Sequence, residues 1–213
     1  MDYIKTNKIN LPELVRKYRI VGFGEYHHGQ HDSAIKIIAN NFYLFTGLFL
    51  ELPINFQLSV DHYIEFGEYD DRLKRYFLGA QKEGKDIETD ITAILTSAKN
   101  KNVKVWCIDS SKIKTEIYDK QSLHGHYFLN GESRNEDMFN NICQKINTNE
   151  KWCILCGYQH LKYGNHFRSG DKTLGSRLKE KYGDFFVNIA LVNQDQIDLK
   201  IQTNEFDKCL INQ

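Results

Sequence analysis

Short, almost wholly apolar runs alternate with longer amphipathic ones along most of the chain, and this alternation most limits how it can fold. The apolar runs are Arg19–Gly24 (RIVGFG), Leu48–Leu52 (LFLEL), Val103–Ile108 (VKVWCI), Trp152–Cys156 (WCILC) and Phe185–Leu191 (FFVNIAL). They read as strands, with Ile197–Ile201 as a further edge strand. Helices are expected between them at 32–45, 59–67, 69–78, 86–99, 135–146 and 172–181. Ala34, Ile35, Ile38, Phe42 and Phe45 share one helical face, and Ile87, Ile91, Ile94 and Leu95 share another. Strands alternating with helices imply crossover connections, and strands apolar on both sides imply a sheet covered on both faces. The expected fold is therefore α/β: a central, mostly parallel β-sheet flanked by helices, in a single domain over 1–213.

Composition removes several classes of function. The 28 basic and 28 acidic side chains cancel, so no cationic surplus points to nucleic acid. No run approaches the roughly 18 apolar residues of a membrane span. The first residues, MDYIKTNKINLPEL, lack the apolar core of a secretory signal, so the expected place is the cytoplasm. Five cysteines, an odd number without framework spacing, read as reduced thiols. Cys153 and Cys156 form a CxxC, but on a strand residues three apart face opposite ways, so a redox or metal pair is not expected.

In parallel sheets ligands bind beyond the carboxyl ends of the strands. Gly24-Glu25-Tyr26-His27-His28-Gly29-Gln30-His31-Asp32 follows the first strand, and Glu51 lies near the end of the second. Asp109, Ser110 and Ser111 follow the third, and Gly157-Tyr158-Gln159-His160 follows the fourth. Parallel strands bring Glu25, His27 or His28, Glu51, Asp109 and His160 toward one crevice. Carboxylates with imidazoles can run acid–base chemistry on water or hold a divalent metal. Each also has a plain structural reading: Glu51 pairing with a buried base, Asp109 capping the next segment, the histidines solvated. Gly22-Phe23-Gly24 begins a nucleotide fingerprint, but His27 stands where its third glycine belongs, and no GK[ST] follows a glycine-rich loop.

The stretch GEYHHGQHD at Gly24–Asp32 resembles the first motif of the erythromycin-esterase-like proteins and also satisfies the GxxH motif of TIKI/TraB and ChaN-like haem-uptake proteins. Ser133–Ile142 resembles their RxxxMxxN helix, through Arg134, Met138 and Asn141. WCILCGYQHL resembles their late strand ending in GxxH, and Glu51 matches their isolated glutamate. The motifs occur in the family's order between Arg19 and Leu161. The resemblance implies an α/β fold with two lines of chemistry. As in erythromycin esterases, a histidine would activate water to open an ester; as in TIKI-like or ChaN-like proteins, a metal or haem would be bound. Macrolide esterases are roughly twice as long, with helical insertions, which tells against macrolide hydrolysis itself. The esterase register selects His28, the GxxH register His27, and the sequence leaves both open.

The first expectation is a small hydrolase of an ester or amide, acting on a small molecule or peptide. His28 takes a proton from water, Glu25 or Glu51 orients that imidazole, and His160 stabilises the oxyanion or protonates the leaving group. Arg134 anchors a substrate carboxylate or braces a glutamate, and Tyr26, His31 and Asp109 line the substrate site. The second is a metal or haem module with His27 and His160, and Glu25 or Glu51, as ligands, and the third a catalytically silent interaction domain. Leu123–Tyr127 is a candidate lid or substrate loop, and the plainer reading is a surface loop with two solvated imidazoles. Tyr163–Arg168 (YGNHFR) follows His160 and could line the same pocket, with His166 and Arg168 binding an anion, though a solvated loop is the default reading. Oligomeric state is not legible.

Overall fold

A computed structural model of the chain describes residues 2–5, 10–25, 32–82, 87–111, 128–129, 132–147, 149–166, 170–193 and 205–212. The elements are β1 (Asp2–Lys5), α1 (Leu11–Lys17), β2 (Ile20–Glu25), α2 (Asp32–Asn40), β3 (Gly47–Pro53), α3 (Gln57–Phe66), α4 (Asp71–Lys82), α5 (Ile87–Lys101) and β4 (Lys104–Asp109). There follow β5 (Phe128–Leu129), β6 (Glu132–Ser133), α6 (Arg134–Cys143), β7 (Trp152–Gly157), α7 (Tyr158–Leu161), α8 (Leu174–Tyr182), β8 (Phe186–Asn193) and β9 (Lys208–Asn212).

Seven strands form one sheet in the order β1-β9-β8-β2-β7-β3-β4, every neighbouring pair parallel. β5 and β6 form a separate antiparallel pair. From β2 the chain moves outward to β3 and β4, then returns across the sheet to β7, β8 and β9. Crossovers of one hand taken in opposite directions put their helices on opposite faces. Two apolar cores result. One holds Leu11, Ile38, Leu73, Phe77, Ile91 and Leu95 from α1, α2, α4 and α5. The other holds Met138, Ile142, Leu161, Leu174 and Leu178 from α6, α7 and α8. β7 feeds them alternately: Cys153 and Leu155 join the first core, Trp152, Ile154 and Cys156 the second. The CxxC thus points both ways through the sheet, and all five cysteines are free thiols.

The helix expected over 32–45 stops at Asn40. Asn41 Nδ2 donates to the Ile37 carbonyl at 2.8 Å, and a 3-10 turn, Phe42–Leu44, follows. Phe42 and Phe45 are buried nonetheless, so the apolar face outlasts the helix. The helix expected from 172 begins after Thr173, whose hydroxyl caps the Ser176 N–H. β1, α1 and β9 were not legible, and the edge strand expected at 197–201 lies outside the described residues. The β4 edge is covered by one side chain. Gln57 Nε2 donates to the Val105 carbonyl at 2.9 Å, and Gln57 Oε1 accepts from the Cys107 N–H at 2.8 Å. An amide group there stands in for a further strand. Among the described residues no helix is long and apolar enough to cross a membrane.

Candidate active site

β2, β7, β3 and β4 lie side by side, and their carboxyl ends carry Glu25, Gly157, Glu51 and Asp109. Glu25 sits in register with Gly157 on one side and Leu191 on the other. The β3–β7 pairing ends at Leu50, and β3 slips out of regular register with β4 between Leu50 and Pro53. The Gly157 N–H, beyond that last pair, is taken by Glu51 Oε2 instead of by a strand carbonyl. A polar residue inside LFLEL therefore replaces a ladder bond where the ladder gives out.

Glu51 Oε1 accepts from Arg134 Nη2 at 2.8 Å. The same nitrogen reaches Asp109 Oδ2, and Arg134 Nε donates to Asp109 Oδ1 at 2.7 Å. The guanidinium thus forks onto Asp109 and bridges it to Glu51, the bracing arrangement. Asp109 Oδ1 also accepts from the Ser110 N–H at 2.8 Å, so the capping role exists beside the ion pair. The RxxxMxxN spacing has a simple cause, since positions i, i+4 and i+7 share one helical face. On α6 that face turns Arg134 onto the carboxylates, buries Met138, and lets Asn141 Nδ2 donate to the Ile108 carbonyl at 2.9 Å.

His160 stands on α7, a single turn that starts where β7 ends. In a helix i and i+3 lie one above the other, so the GxxH spacing carries the imidazole back over Gly157. His160 Nδ1 lies 2.8 Å from Asn135 Oδ1, and His160 Nε2 lies 3.5 Å from Glu51 Oε1. Both ring nitrogens face oxygen. Gly22 and Gly24 make room for this turn. A Cβ on Gly22 would meet Leu161 at 3.2 Å, and one on Gly24 would meet Phe206 at 3.1 Å and the Tyr158 Cα at 3.3 Å. The GxG pattern is a packing groove for α7, which accounts for its failure as a nucleotide fingerprint.

The buried Cys156 thiol reports on the same cluster. Burial pushes it well up, Glu51 adds to this while Arg134 opposes it, and Glu25 and Asp109 contribute further. Asn135 was not foreseen; it follows Arg134 in the first helical turn and is buried. His166, one of the residues that could line the pocket, departs from the default reading of a solvated loop. It is 1 % exposed, and its ring stacks on that of His160 at 5.5 Å. Tyr26, His27, His28 and His31, the Leu123–Tyr127 segment and Arg168 lie outside the described residues.

The described donors do not fit a divalent metal. Glu51 already holds a guanidinium on one oxygen and a backbone N–H on the other, and both His160 nitrogens face protein oxygens. Among the described residues no group of three His, Cys, Asp or Glu side chains is arranged to hold an ion.

No protein-family model matches the sequence, and no curated protein sequence matches it either. Solved structures do. The chain is similar to an erythromycin esterase mutant, EreC H289N in its open conformation, at 14 % identity and TM-score 0.59, over 86 % of this chain and 72 % of that one. It is similar to ChaN of Campylobacter jejuni, described with cofacial haem binding, at 13 % identity and TM-score 0.53, over 94 % and 91 %. It is also similar to the C-terminal region of Pasteurella multocida toxin, described with a thiol-protease-like catalytic triad, at 16 % identity and TM-score 0.57. It spans 25 % of that toxin chain, and 35 % of another matched chain described as bacterial protein toxins. The fold is the α/β fold that erythromycin esterase and ChaN share.

Proposed function

We propose that this protein is a small hydrolase that cleaves an ester or amide bond by activating water at the carboxyl edge of its sheet. One observation carries the reading: His160 is held between Asn135 Oδ1 and Glu51 Oε1 at 2.8 and 3.5 Å, and Glu51 is itself fixed by Arg134 and Gly157. Nδ1 is taken up by Asn135 Oδ1 at 2.8 Å, so Nε2, 3.5 Å from Glu51 Oε1, is the nitrogen that would carry a proton to the substrate. It is then a proton donor, suited to a departing alkoxide or amine or to a developing oxyanion. The general base is His28, three residues after Glu25 in the sequence, with Glu25 orienting it. Arg134 and Asp109 keep Glu51 in place and do not touch the reacting atoms. The shared fold with an esterase supports the choice of an ester.

The test is hydrolysis of p-nitrophenyl acetate by the whole chain, its His28→Ala variant and its Glu51→Gln variant. The expected loss for His28→Ala is about 10²–10⁴-fold in rate with the circular dichroism spectrum retained. An unchanged rate in His28→Ala overturns the role of that residue. No hydrolysis, with a visible absorption band on adding haemin, would favour the haem-binding reading instead.

A further inference from the structure

We propose that Glu205 is a positioning residue that clamps both ends of the turn carrying His160 and so sets the imidazole against Glu51. A single helical turn has no stability of its own, because nucleation costs more than one turn returns. The orientation of α7 must therefore come from what grips it. Tyr158 OH, at its start, donates to Glu205 Oε2 at 2.5 Å, and Lys162 Nζ, just past its end, donates to Glu205 Oε1 at 2.8 Å. The Tyr163 N–H donates to the Glu205 carbonyl at 2.7 Å. One residue thus holds the positions on either side of His160.

The grip is anchored in the sheet. Asp207, two residues on, accepts from the Asn188 N–H of β8 at 3.0 Å and from Tyr163 OH at 2.5 Å, and its own N–H donates to Asn188 Oδ1 at 2.8 Å. Asn188 Nδ2 in turn donates to the Leu161 carbonyl, the last of α7, at 2.8 Å. Between Glu205 and Asp207, the Phe206 ring stacks on Tyr158 at 5.1 Å and lies over Gly24, next to Glu25. The segment therefore ties the His160 turn to the end of β2. The Lys162 and Glu205 side chains are only 11 and 13 % exposed, so loss of either partner leaves the other charge poorly compensated.

Only the kinetic part of the test rests on the hydrolase reading. Ring ¹H–¹⁵N signals of His160 are recorded at one pH in histidine-labelled wild type, Glu205→Gln and Tyr158→Phe. Tyr158→Phe keeps the stack on Phe206, and so carries the test if Glu205→Gln does not fold. The expected result is a displaced His160 signal, with that of the stacked His166 moving alongside it and the remaining histidine signals largely unmoved. For p-nitrophenyl acetate, kcat falls about 10- to 100-fold with KM changed less than about twofold. His160 signals unchanged in a folded variant overturn the clamp. Wild type inert toward the ester, with the His160 signals still displaced in the variants, supports the clamp and removes the hydrolase reading.

Discussion

The Glu51 carboxylate lies over Gly157, with Oε2 3.2 Å from the place a Cβ on that residue would occupy. Gly157 has φ −57° and ψ 142°, which alanine adopts freely, so the glycine serves proximity rather than an unusual backbone. Gly157→Ala then has two opposed effects. A less flexible unfolded chain stabilises by about 0.4–1 kcal/mol. Pushing the carboxylate aside weakens a hydrogen bond worth roughly 1.5–3 kcal/mol. The melting temperature should fall by only a few degrees. Turnover of p-nitrophenyl acetate should fall at least about tenfold, since His160 and Arg134 both meet Glu51. A variant as active as wild type would show that the Glu51 position is immaterial to the reaction.

How much of this was legible follows from which residues act locally. Parallel strands covered on both faces need continuous apolar runs, so WCILC and LFLEL announce themselves, and Glu51 stands out as the one acid inside such a run. Gly157 and His160 are legible through one-turn spacing after a strand. Asn135 and the burial of His166 are not, because a polar residue on a helix or loop is buried only by what packs over it. β9 escapes for a related reason. Its five residues are bounded by Lys208 and Asn212, and its edge neighbour β1 lies at the other end of the chain. Glu205 acts across more than 40 residues on Tyr158 and Lys162, a relation no local pattern carries.

Arg134 bridges two carboxylates at once, and the Asp109 side chain is only 3 % exposed. Removing one partner of such a group leaves buried charge uncompensated, at about 3–5 kcal/mol. Arg134→Met should lose an amount of that order in urea unfolding. Arg134→Lys keeps the charge but not the planar fork, and should recover part of the stability while remaining poorly active. Equal stability of the methionine variant and wild type would show that the cluster is not held by this residue.

Four of the five thiols sit in the cores, and burial pushes each upward: Cys209 to about 12, Cys107 and Cys153 further still, and Cys156 well above the ordinary thiol range. A thiol nucleophile must be ionised and reachable. Native protein at pH 8 should therefore react with iodoacetamide only at Cys143, which is half-buried beside Tyr182 OH at 3.6 Å. All five should react after unfolding. Mass spectrometry of the labelled peptides reads this directly. Rapid native labelling of Cys153 and Cys156 would revive a redox role for the CxxC.

Asp70 joins α3 to α4. Its Oδ1 caps the Leu73 N–H at 2.8 Å, and its Oδ2 accepts from the Ser59 hydroxyl at 2.7 Å. Burial works against its ionisation, but the Ser59 and Leu73 hydrogen bonds, helped by His62 and the Arg72 backbone, outweigh it and hold the carboxyl below its ordinary 3.8. A group depressed in the folded state stabilises fully above its unfolded value and loses that contribution as pH falls through the folded one. Asp70→Ala should cost about 1 kcal/mol near neutral pH, as loss of a helix cap does. The gap from wild type should narrow only below about pH 4, where the unfolded carboxyl protonates. Asp70→Asn keeps an oxygen for Leu73 without the charge, and should lie between the two at neutral pH. Urea midpoints measured from pH 7 down to pH 3 decide the matter: a gap that widens on acidification would mean the carboxyl is held above its ordinary value and that burial, not the cap, governs it.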